Sequence, residues 1–312
     1  MIDITLQNFE ADLINESMQQ PVLLDIWAPW CGPCKQLGPV LEKLETAYAG
    51  RFKLAKLNSD EQPDIAGQLS QAFGVRSIPF CVLFAGGQPV DGFVGALPES
   101  QVREFLDKHV PSAEELAAEE EVEAAEELAA DGDSDAALAR LQQAVAVDPA
   151  NDAARIDYVK LLLEQHRPEP ARAAWQPLAG KALADARIAA LGLWLDAFEQ
   201  PRRDEATLTA ALAANKRDFD ARYELAQRRF AAGRFAPAMD ELLEIVLRDK
   251  GWNDGAARKT YVAILEMMSK PAPKSAGAEA KKGALELTGK SAVASADPVL
   301  DQYRRKLSMA LF

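Results

Sequence analysis

The sequence predicts an α/β domain with a mixed central sheet and helices on both faces, followed by an all-α domain of helical repeats. Up to about residue 110, short apolar runs alternate with segments of helical periodicity. After Pro111 the strand patterns stop, and Ala- and Leu-rich helical sequence recurs with a period of about 34 residues. The chain of 312 residues is long enough for two or three domains.

Apolar runs predict the strands of the first domain, residues 1–110, at positions 21–28, 52–58, 80–84 and 90–95. The first run, PVLLDIWA, is typical of a strand that is buried on both faces. Helical spacing lies between the runs, at positions 31–50, 64–73 and 98–110. The order of the elements, interpreted as βαβαβαββα, predicts the mixed sheet.

The second domain, residues 136–268, fits the tetratricopeptide (TPR) pattern of paired helices. In that pattern a glycine ends the first helix, and small and bulky residues recur at set offsets around it. Three stretches carry such residues: Gly132, Ala137, Leu141, Ala144 and Pro149; Ala171, Trp175 and Leu178; and Ala226, Gly233, Ala238, Leu242 and Ile245. Small residues let paired helices approach closely, and bulky ones fill the gap to the next repeat. The alternative is a generic helical bundle.

Three further segments differ in composition. Residues 111–135 contain 11 acidic and no basic side chains, which predicts an acidic helical linker or first repeat helix. Residues 269–298 are rich in Lys, Ala, Ser and Pro, which predicts a flexible low-complexity insert. Residues 299–312 regain amphipathic spacing and predict a C-terminal helix. This helix either closes the repeat array or binds another protein.

The overall composition argues against several classes of function. The net charge of −13 disfavours nucleic acid as a partner, and no apolar run approaches the ~18 residues of a membrane span. The first residues lack the basic region, apolar core and cleavage site of a secretion signal, so we expect a cytoplasmic protein without a membrane partner. Three cysteines are too few for a disulfide framework and fit a reducing compartment.

Two of the cysteines lie in the segment WCGPCK, residues 30–35, which predicts a redox-active dithiol. Cys31 precedes a helix, where unpaired N–H groups and the helix dipole stabilise a thiolate. Pro33 is tolerated in the first helical turn because its missing N–H needs no partner there. Cys34 lies one turn further on, where it can resolve a mixed disulfide by attacking the sulfur of Cys31.

Zinc binding is the main alternative for this motif, and a structural zinc ion needs four ligands. Only Cys81, His109 and His166 remain as further sulfur or imidazole ligands, and they are scattered along the chain without pairing. We therefore expect no metal and no other cofactor.

Residues outside the motif extend the predicted site. Asp25 lies within an apolar strand, where burial raises the pKa of a carboxyl group, so it is a candidate proton acceptor for the second cysteine. Lys56, on the next strand, is placed to pair with Asp25. Pro79 directly precedes a strand, and a cis Ile78–Pro79 bond would present its backbone to an extended substrate beside the dithiol.

Residues 1–110 resemble thioredoxin throughout. The resemblance rests on Asp25, Trp27, WCGPCK at 30–35, KLN at 56–58, VRSIP at 75–79 and VGAL at 94–97. With its acidic helix, its TPR-like repeats and YRRKL near the C-terminus, the whole chain apart from the insert resembles the YbbN type of thioredoxin–TPR protein. These proteins are also called chaperedoxins (CnoX).

This resemblance implies a cytosolic holdase that binds unfolding proteins, protects or reduces their cysteines by thiol–disulfide exchange, and passes them to the chaperonin and Hsp70 systems. The exchange makes the protein a thiol–disulfide oxidoreductase, with Cys31 as nucleophile and Cys34 as resolving residue. Asp25 and Lys56 would be the proton-transfer pair. The substrate surface is expected to include Trp30, Gly32, Pro33, Ile78, Pro79 and Gly95. Expected partners are client proteins, the chaperonin through residues 299–312, Hsp70 and thioredoxin reductase.

The sequence departs from the thioredoxin pattern at three positions. Phe80 stands where thioredoxins usually have threonine, which predicts a more apolar groove, and Cys81 follows it. Because neighbours in a strand point to opposite faces, these two side chains cannot both face the groove. Ser59 stands where some chaperedoxins have the cysteine that traps substrates, so trapping here would use Cys31.

A non-enzymatic adaptor is the competing interpretation. In that case the thioredoxin-like domain is only a binding platform, and the repeats hold clients on their own surface. The two interpretations differ in whether protection of a client needs the thiols.

Overall fold

The computed structural model describes residues 2–200, 203–269 and 297–311, and these fall into two units. One unit extends to Leu116, and the other contains the described residues from Ala117 onward. Most of the segment predicted to be a flexible insert, from residue 270 to residue 296, lies outside the described residues.

The sheet of the first unit is mixed, as the sequence predicts. Its strands are β1 (Ile2–Asp3), β2 (Val22–Trp27), β3 (Lys53–Asn58), β4 (Phe80–Ala85) and β5 (Gln88–Val94). They lie in the order β1-β3-β2-β4-β5, with β1 and β2 parallel to β3 and with β4 antiparallel to both of its neighbours. Five successive residues of β2 are buried because the strand is central and covered on both faces.

Helices cover both faces of this sheet. They are α1 (Gly32–Ala47), α2 (Pro63–Phe73) and α3 (Glu99–Asp107), together with a π-helical segment (Phe9–Asn15) and a short 3-10 helix (Glu16–Met18). Leu23 of β2 packs with residues of α1 and α3, whereas Leu24 packs with residues of α2 and the π-helical segment. This alternation along β2 separates two apolar cores, one on each face of the sheet.

Among the described residues, all remaining elements are helical. They are α4 (Ala113–Ala130), α5 (Ser134–Val147), α6 (Asp152–Glu164), α7 (Pro168–Trp175), a 3-10 helix (Gln176–Lys181), α8 (Ala186–Glu199), α9 (Glu205–Ala214), α10 (Phe219–Ala231), α11 (Phe235–Arg248), α12 (Trp252–Met268) and α13 (Pro298–Leu311). The predicted fold class, an α/β domain followed by an all-α repeat domain, is confirmed.

The positions that define the repeat pattern form the contacts between these helices. The small and bulky residues within helices are buried, except for the half-buried Trp175: Ala137, Leu141, Ala144, Ala171, Leu178, Ala226, Ala238, Leu242 and Ile245. Gly132 and Gly233 follow α4 and α10 with φ angles of 85° and 69°, which glycine adopts without strain. The glycines therefore end the first helix of a pair, as the pattern predicts.

Helix α8 occupies the centre of the second unit, and half of its residues are buried. It packs against α6, α7 and α10, and also against α12, which comes four helices later in the chain. In a regular solenoid each repeat contacts only its neighbours. The repeats of this protein therefore fold back on themselves instead of forming an open array.

The C-terminal helix α13 packs on α11 and α12 of its own chain. Leu300, Tyr303 and Leu307 are at most 8 % exposed and belong to the main apolar core of the second unit. Of the two alternatives for this helix, the structure therefore supports the closing helix of the array. None of the described helices is long and apolar enough to span a lipid bilayer.

Candidate redox site

The two cysteines of the motif lie at the start of α1. Cys31 and Cys34 are joined by a disulfide bond, and their Cα atoms are 5.3 Å apart. Cys31 is the N-cap residue of α1, and its Sγ accepts a hydrogen bond from the backbone N–H of Cys34 at 3.2 Å. When the disulfide is reduced, the same N–H groups and the helix dipole stabilise a thiolate at residue 31.

The surface around the disulfide is formed by neighbouring residues more than by the sulfur atoms. Cys31 and Cys34 are only 3 % and 4 % exposed, whereas Trp30 is 70 % exposed. The indole Nε1 of Trp30 donates a hydrogen bond to the Asp60 carboxylate at 3.0 Å, which orients the ring. Asp60 is not among the predicted site residues, because residue spacing alone does not show which loop meets Trp30.

The loop before β4 completes this surface. The Ile78–Pro79 peptide bond is cis, which confirms the prediction, and Ile78 packs against the two cysteines. The carbonyl oxygen of Pro79 accepts a hydrogen bond from the N–H of Gly95 at 2.8 Å. Gly95 has a φ of 89°, in the region that favours glycine. This bond ties the cis-proline loop to the turn at Gly95.

A buried carboxyl group lies in the sheet below α1. Asp25 is only 2 % exposed, and its register neighbours are Lys56 on β3 and Cys81 on β4. The Sγ of Cys81 donates a hydrogen bond to Oδ1 of Asp25 at 3.7 Å. Burial raises the pKa of Asp25 to about 6, although the charge of Lys56 and the bond from Cys81 both lower it. A carboxyl group of this kind can take up and release a proton near neutral pH.

The partner of Lys56 differs from the predicted one. Its Nζ forms an ion pair with Glu42 on α1, at 2.6 Å, and acts on Asp25 through its charge. The Glu42 side chain is 48 % exposed. The long lysine side chain therefore places its ammonium group at the edge of α1, where desolvation costs less than beside a buried carboxylate.

Phe80 and Cys81 point to opposite faces of β4, as strand geometry requires. Phe80 is only 2 % exposed and packs edge-to-face on Phe73, with ring centroids 5.5 Å apart. The prediction that Phe80 makes the substrate groove more apolar is therefore wrong. The reason is that β4 lies inside the sheet and α2 covers the face on which the Phe80 ring lies.

The other candidate zinc ligands do not meet the dithiol. Nε2 of His109 lies 2.8 Å from Oδ2 of Asp91, within hydrogen-bond distance, and Cys81 contacts Asp25. In the described part of the chain, no group of three or more His, Cys, Asp or Glu side chains is arranged to hold a metal ion.

Comparison with known proteins agrees with this architecture. Residues 1–108 match the family model described as Thioredoxin, and residues 128–193 and 198–281 match two models described as Tetratricopeptide repeat. Thioredoxin 2 of Chlorobaculum tepidum is 46 % identical over 108 residues, which cover 35 % of this chain and 94 % of the relative. Thioredoxin of Haemophilus influenzae is 43 % identical over 110 residues, which cover 35 % of this chain and 97 % of the relative.

These relatives align with the first third of the chain, which contains the disulfide, the buried carboxyl group and the cis-proline loop. Their similarity and the CxxC motif support thiol–disulfide oxidoreductase activity in general. The tetratricopeptide matches assign the following helices to a repeat class that is used in protein–protein interaction. The chain belongs to the thioredoxin family through its N-terminal domain, to which tetratricopeptide repeats are joined.

Proposed function

We propose that this protein is a cytosolic thioredoxin-like co-chaperone that exchanges thiols with proteins held by its own repeats. One observation carries the proposal: the Cys31–Cys34 pair at the start of α1 belongs to the same chain as a tetratricopeptide unit. A general reductase needs only the first domain. Here the dithiol is joined to helices of a repeat class that is used in protein–protein interaction. It therefore acts on unfolding proteins that the chain already binds, and it protects or reduces their cysteines.

The reaction follows from the positions of the two sulfur atoms. The Cys31 thiolate attacks a client disulfide, forms a mixed disulfide and releases one client sulfur as a thiolate. The Cys34 sulfur then attacks Sγ of Cys31 while its proton passes to the Asp25 carboxylate. The second client sulfur leaves, the Cys31–Cys34 disulfide forms, and the client has gained the two electrons that the dithiol has lost. A dithiol reductant, or thioredoxin reductase as the expected partner, restores the reduced state.

Reduction of insulin disulfides by the reduced full-length protein tests this activity. Wild type should reduce insulin in the presence of dithiothreitol, and Cys31→Ser should reduce no more than the reductant alone. Cys34→Ser should accumulate a mixed disulfide that is visible on a non-reducing gel. Wild-type activity equal to that of Cys31→Ser would contradict the enzymatic proposal.

Transfer of the client to the chaperonin and Hsp70 systems is part of the same proposal, and the fold of the C-terminal helix decides which of its faces remains available for binding. The apolar face of α13 is buried against the repeats, so a chaperonin would bind the opposite face. That face contains Met309, which is 75 % exposed, and Arg305, and both line a groove of about 560 Å³. Methionine and arginine are both enriched at protein–protein interfaces relative to the rest of the surface.

A non-enzymatic adaptor is the second candidate function, and two grooves on either side of Leu193 favour it. One groove, of about 540 Å³, lies between α8 and α12, with Val262 in its lining and Arg258 at its rim. The other, of about 430 Å³, is lined mainly by polar and acidic side chains, among them Asp196, Asp220 and Glu224, together with the rings of Tyr223 and Trp252. An apolar groove beside a polar one that contains two aromatic rings can hold an extended client segment without thiol chemistry.

Suppression of aggregation of a client without cysteines separates the two functions. Equal protection by wild type and by the Cys31→Ser/Cys34→Ser variant would assign holding to the repeats alone. Weaker protection by the variant would connect holding with the dithiol. Failure of both proteins to protect the client would remove the holdase part of the proposal.

A further inference from the structure

The third cysteine lies outside the dithiol, and the exchange reaction described above does not use it. Cys81 is fully buried, and its Sγ lies 3.7 Å from Oδ1 of Asp25. A buried thiol with a single polar contact usually packs as a small apolar side chain. The contact of Cys81 is with the one carboxyl group that the proposed reaction requires.

Three polar side chains lie in one row across the sheet. Lys56, Asp25 and Cys81 occupy matching register positions on β3, β2 and β4, so they point to the same face. Cys81 packs with Leu37 and Leu41 of α1, which shows that this face is the one beneath that helix.

Helix α1 brings the dithiol to this row. Cys34 and Gly38 are one turn apart and therefore on the same side of the helix. A Cβ atom built on Gly38 would lie 3.8 Å from Nζ of Lys56. The Lys56 end of the row therefore lies against the side of α1 that carries the resolving sulfur.

We propose that Cys81 is a positioning residue for the resolution step, in which its thiol donates a hydrogen bond to Oδ1 of Asp25 and holds the carboxylate ready to accept the proton of Cys34. This inference rests on the proposed function. The groups that act on Asp25 are Cys81 from β4 and Lys56 from β3, whose own partner is Glu42. Of these, Cys81 is the neutral donor, and Lys56 acts through its charge. The dithiol lies at the start of α1, the helix that covers this face.

The donor role requires that the Cys81 thiol keeps its proton. Burial, followed by the nearby charge of Asp25 and the hydrogen bond to it, raises the pKa of Cys81 above its usual range. The thiol therefore stays protonated at the pH at which Asp25 ionises. During resolution the proton of Cys34 moves to Asp25, while the S–H bond of Cys81 remains intact.

Carbon NMR titration of the Asp25 carboxyl group in the oxidised full-length protein tests this role directly. Asp25→Asn identifies the signal. Cys81→Val, which removes the donor and adds about one methyl group, should raise the pKa of Asp25 by roughly half a unit. Cys81→Ser, which keeps a donor, should retain the wild-type pKa. An unchanged pKa in Cys81→Val, or equal shifts in both variants, would overturn the inference.

The rate of resolution supplies a second measurement that a purely structural role would not reproduce. At pH 6 the Cys81→Val variant should release a mixed-disulfide client about twofold more slowly than wild type, because fewer Asp25 groups are ionised. At pH 8 the two rates should be equal. Equal slowing at both pH values would show a packing defect and contradict the positioning role.

A wild type without exchange activity would overturn the proposed function, whereas an unshifted pKa in an active protein would overturn the role of Cys81 alone.

Discussion

The hydroxyl group of Tyr303 donates a hydrogen bond to Oδ1 of Asp240 on α11, at 3.1 Å. The backbone oxygen of Tyr303 accepts a second bond from the hydroxyl of Tyr261 on α12, at 2.8 Å. Nζ of Lys306 lies 4.2 Å from the centre of the Tyr303 ring and 3.3 Å from Asp240. One residue thus attaches the C-terminal helix to two other helices of its own chain.

Loss of an apolar contact in this helix should destabilise the repeat unit. Leu307 is 8 % exposed, so Leu307→Ala should lower the free energy of unfolding by about 2–3 kcal/mol. Amide hydrogen exchange in α13 should become faster than in α11. The matched control is Met309→Ala on the exposed face of the same helix, which should change stability by less than about 0.5 kcal/mol. Equal effects of the two substitutions would contradict the described packing.

Chaperonin binding should depend on the exposed face of α13. We expect Arg305→Glu combined with Met309→Asp to abolish co-purification with the chaperonin, because it reverses a charge and removes an exposed apolar side chain. The midpoint of thermal unfolding should stay at the wild-type value, since neither residue is buried. Undiminished binding by this double variant would show that the chaperonin does not recognise this face.

The buried carboxyl group makes stability depend on pH. The pKa of Asp25 is raised from 3.8 to about 6 in the folded protein, so folding favours the protonated form. The stability from this group is fully present below pH 3.8 and is lost as the pH rises through 6. Asp25→Asn removes this dependence, so the variant should gain about 2–3 kcal/mol relative to wild type between pH 3.5 and pH 8.

Denaturant titrations of oxidised wild type and Asp25→Asn at both pH values measure this gain. The quantity compared is how much the difference in free energy of unfolding between the two proteins changes from one pH to the other. Glu42→Gln, introduced into both proteins, is a useful control. Because Glu42 is about half exposed, this substitution should change the stability difference between wild type and Asp25→Asn by no more than about a few tenths of a kcal/mol. A constant difference between wild type and Asp25→Asn at all pH values would mean that Asp25 has an ordinary pKa.

The contact between Trp175 and Gly192 predicts a sensitive position in the repeat unit. A Cβ atom built on Gly192 of α8 would lie 2.9 Å from Cζ2 of Trp175, closer than atoms pack without movement. The indole Nε1 also donates to the carbonyl oxygen of Ile188 at 3.0 Å, which limits how far the ring can shift. Gly192→Ala should therefore destabilise the unit by about 1–3 kcal/mol.

Gly180→Ala provides the matched control for this substitution. Nothing lies within 4 Å of a Cβ atom at residue 180, so alanine should be neutral or slightly stabilising there. Thermal unfolding of the two variants checks the contrast, and a Gly192→Ala variant as stable as Gly180→Ala would show that the indole ring can move away.

Local signals in the sequence were sufficient for most elements of this fold. The strand around Asp25, the helix that begins after Cys31 and the glycines that end α4 and α10 all depend on neighbouring residues in the chain. The cis bond before Pro79 also has a local cause, because proline lowers the cost of the cis form. The helix pairs followed from small residues at repeated offsets, since close approach of two helices requires them.

The sequence by itself therefore determined the fold class, the position of the dithiol at a helix N-terminus and the burial of Asp25. Tertiary structure alone decided which groups meet across elements: Glu42 with Lys56, Cys81 with Asp25, and Asp60 with Trp30. It also decided that α12 packs on α8 and that α13 packs on its own repeats. The physical reason is that burial and strand register join residues distant in sequence, whereas sequence periodicity shows only which face of an element is apolar and not what covers that face.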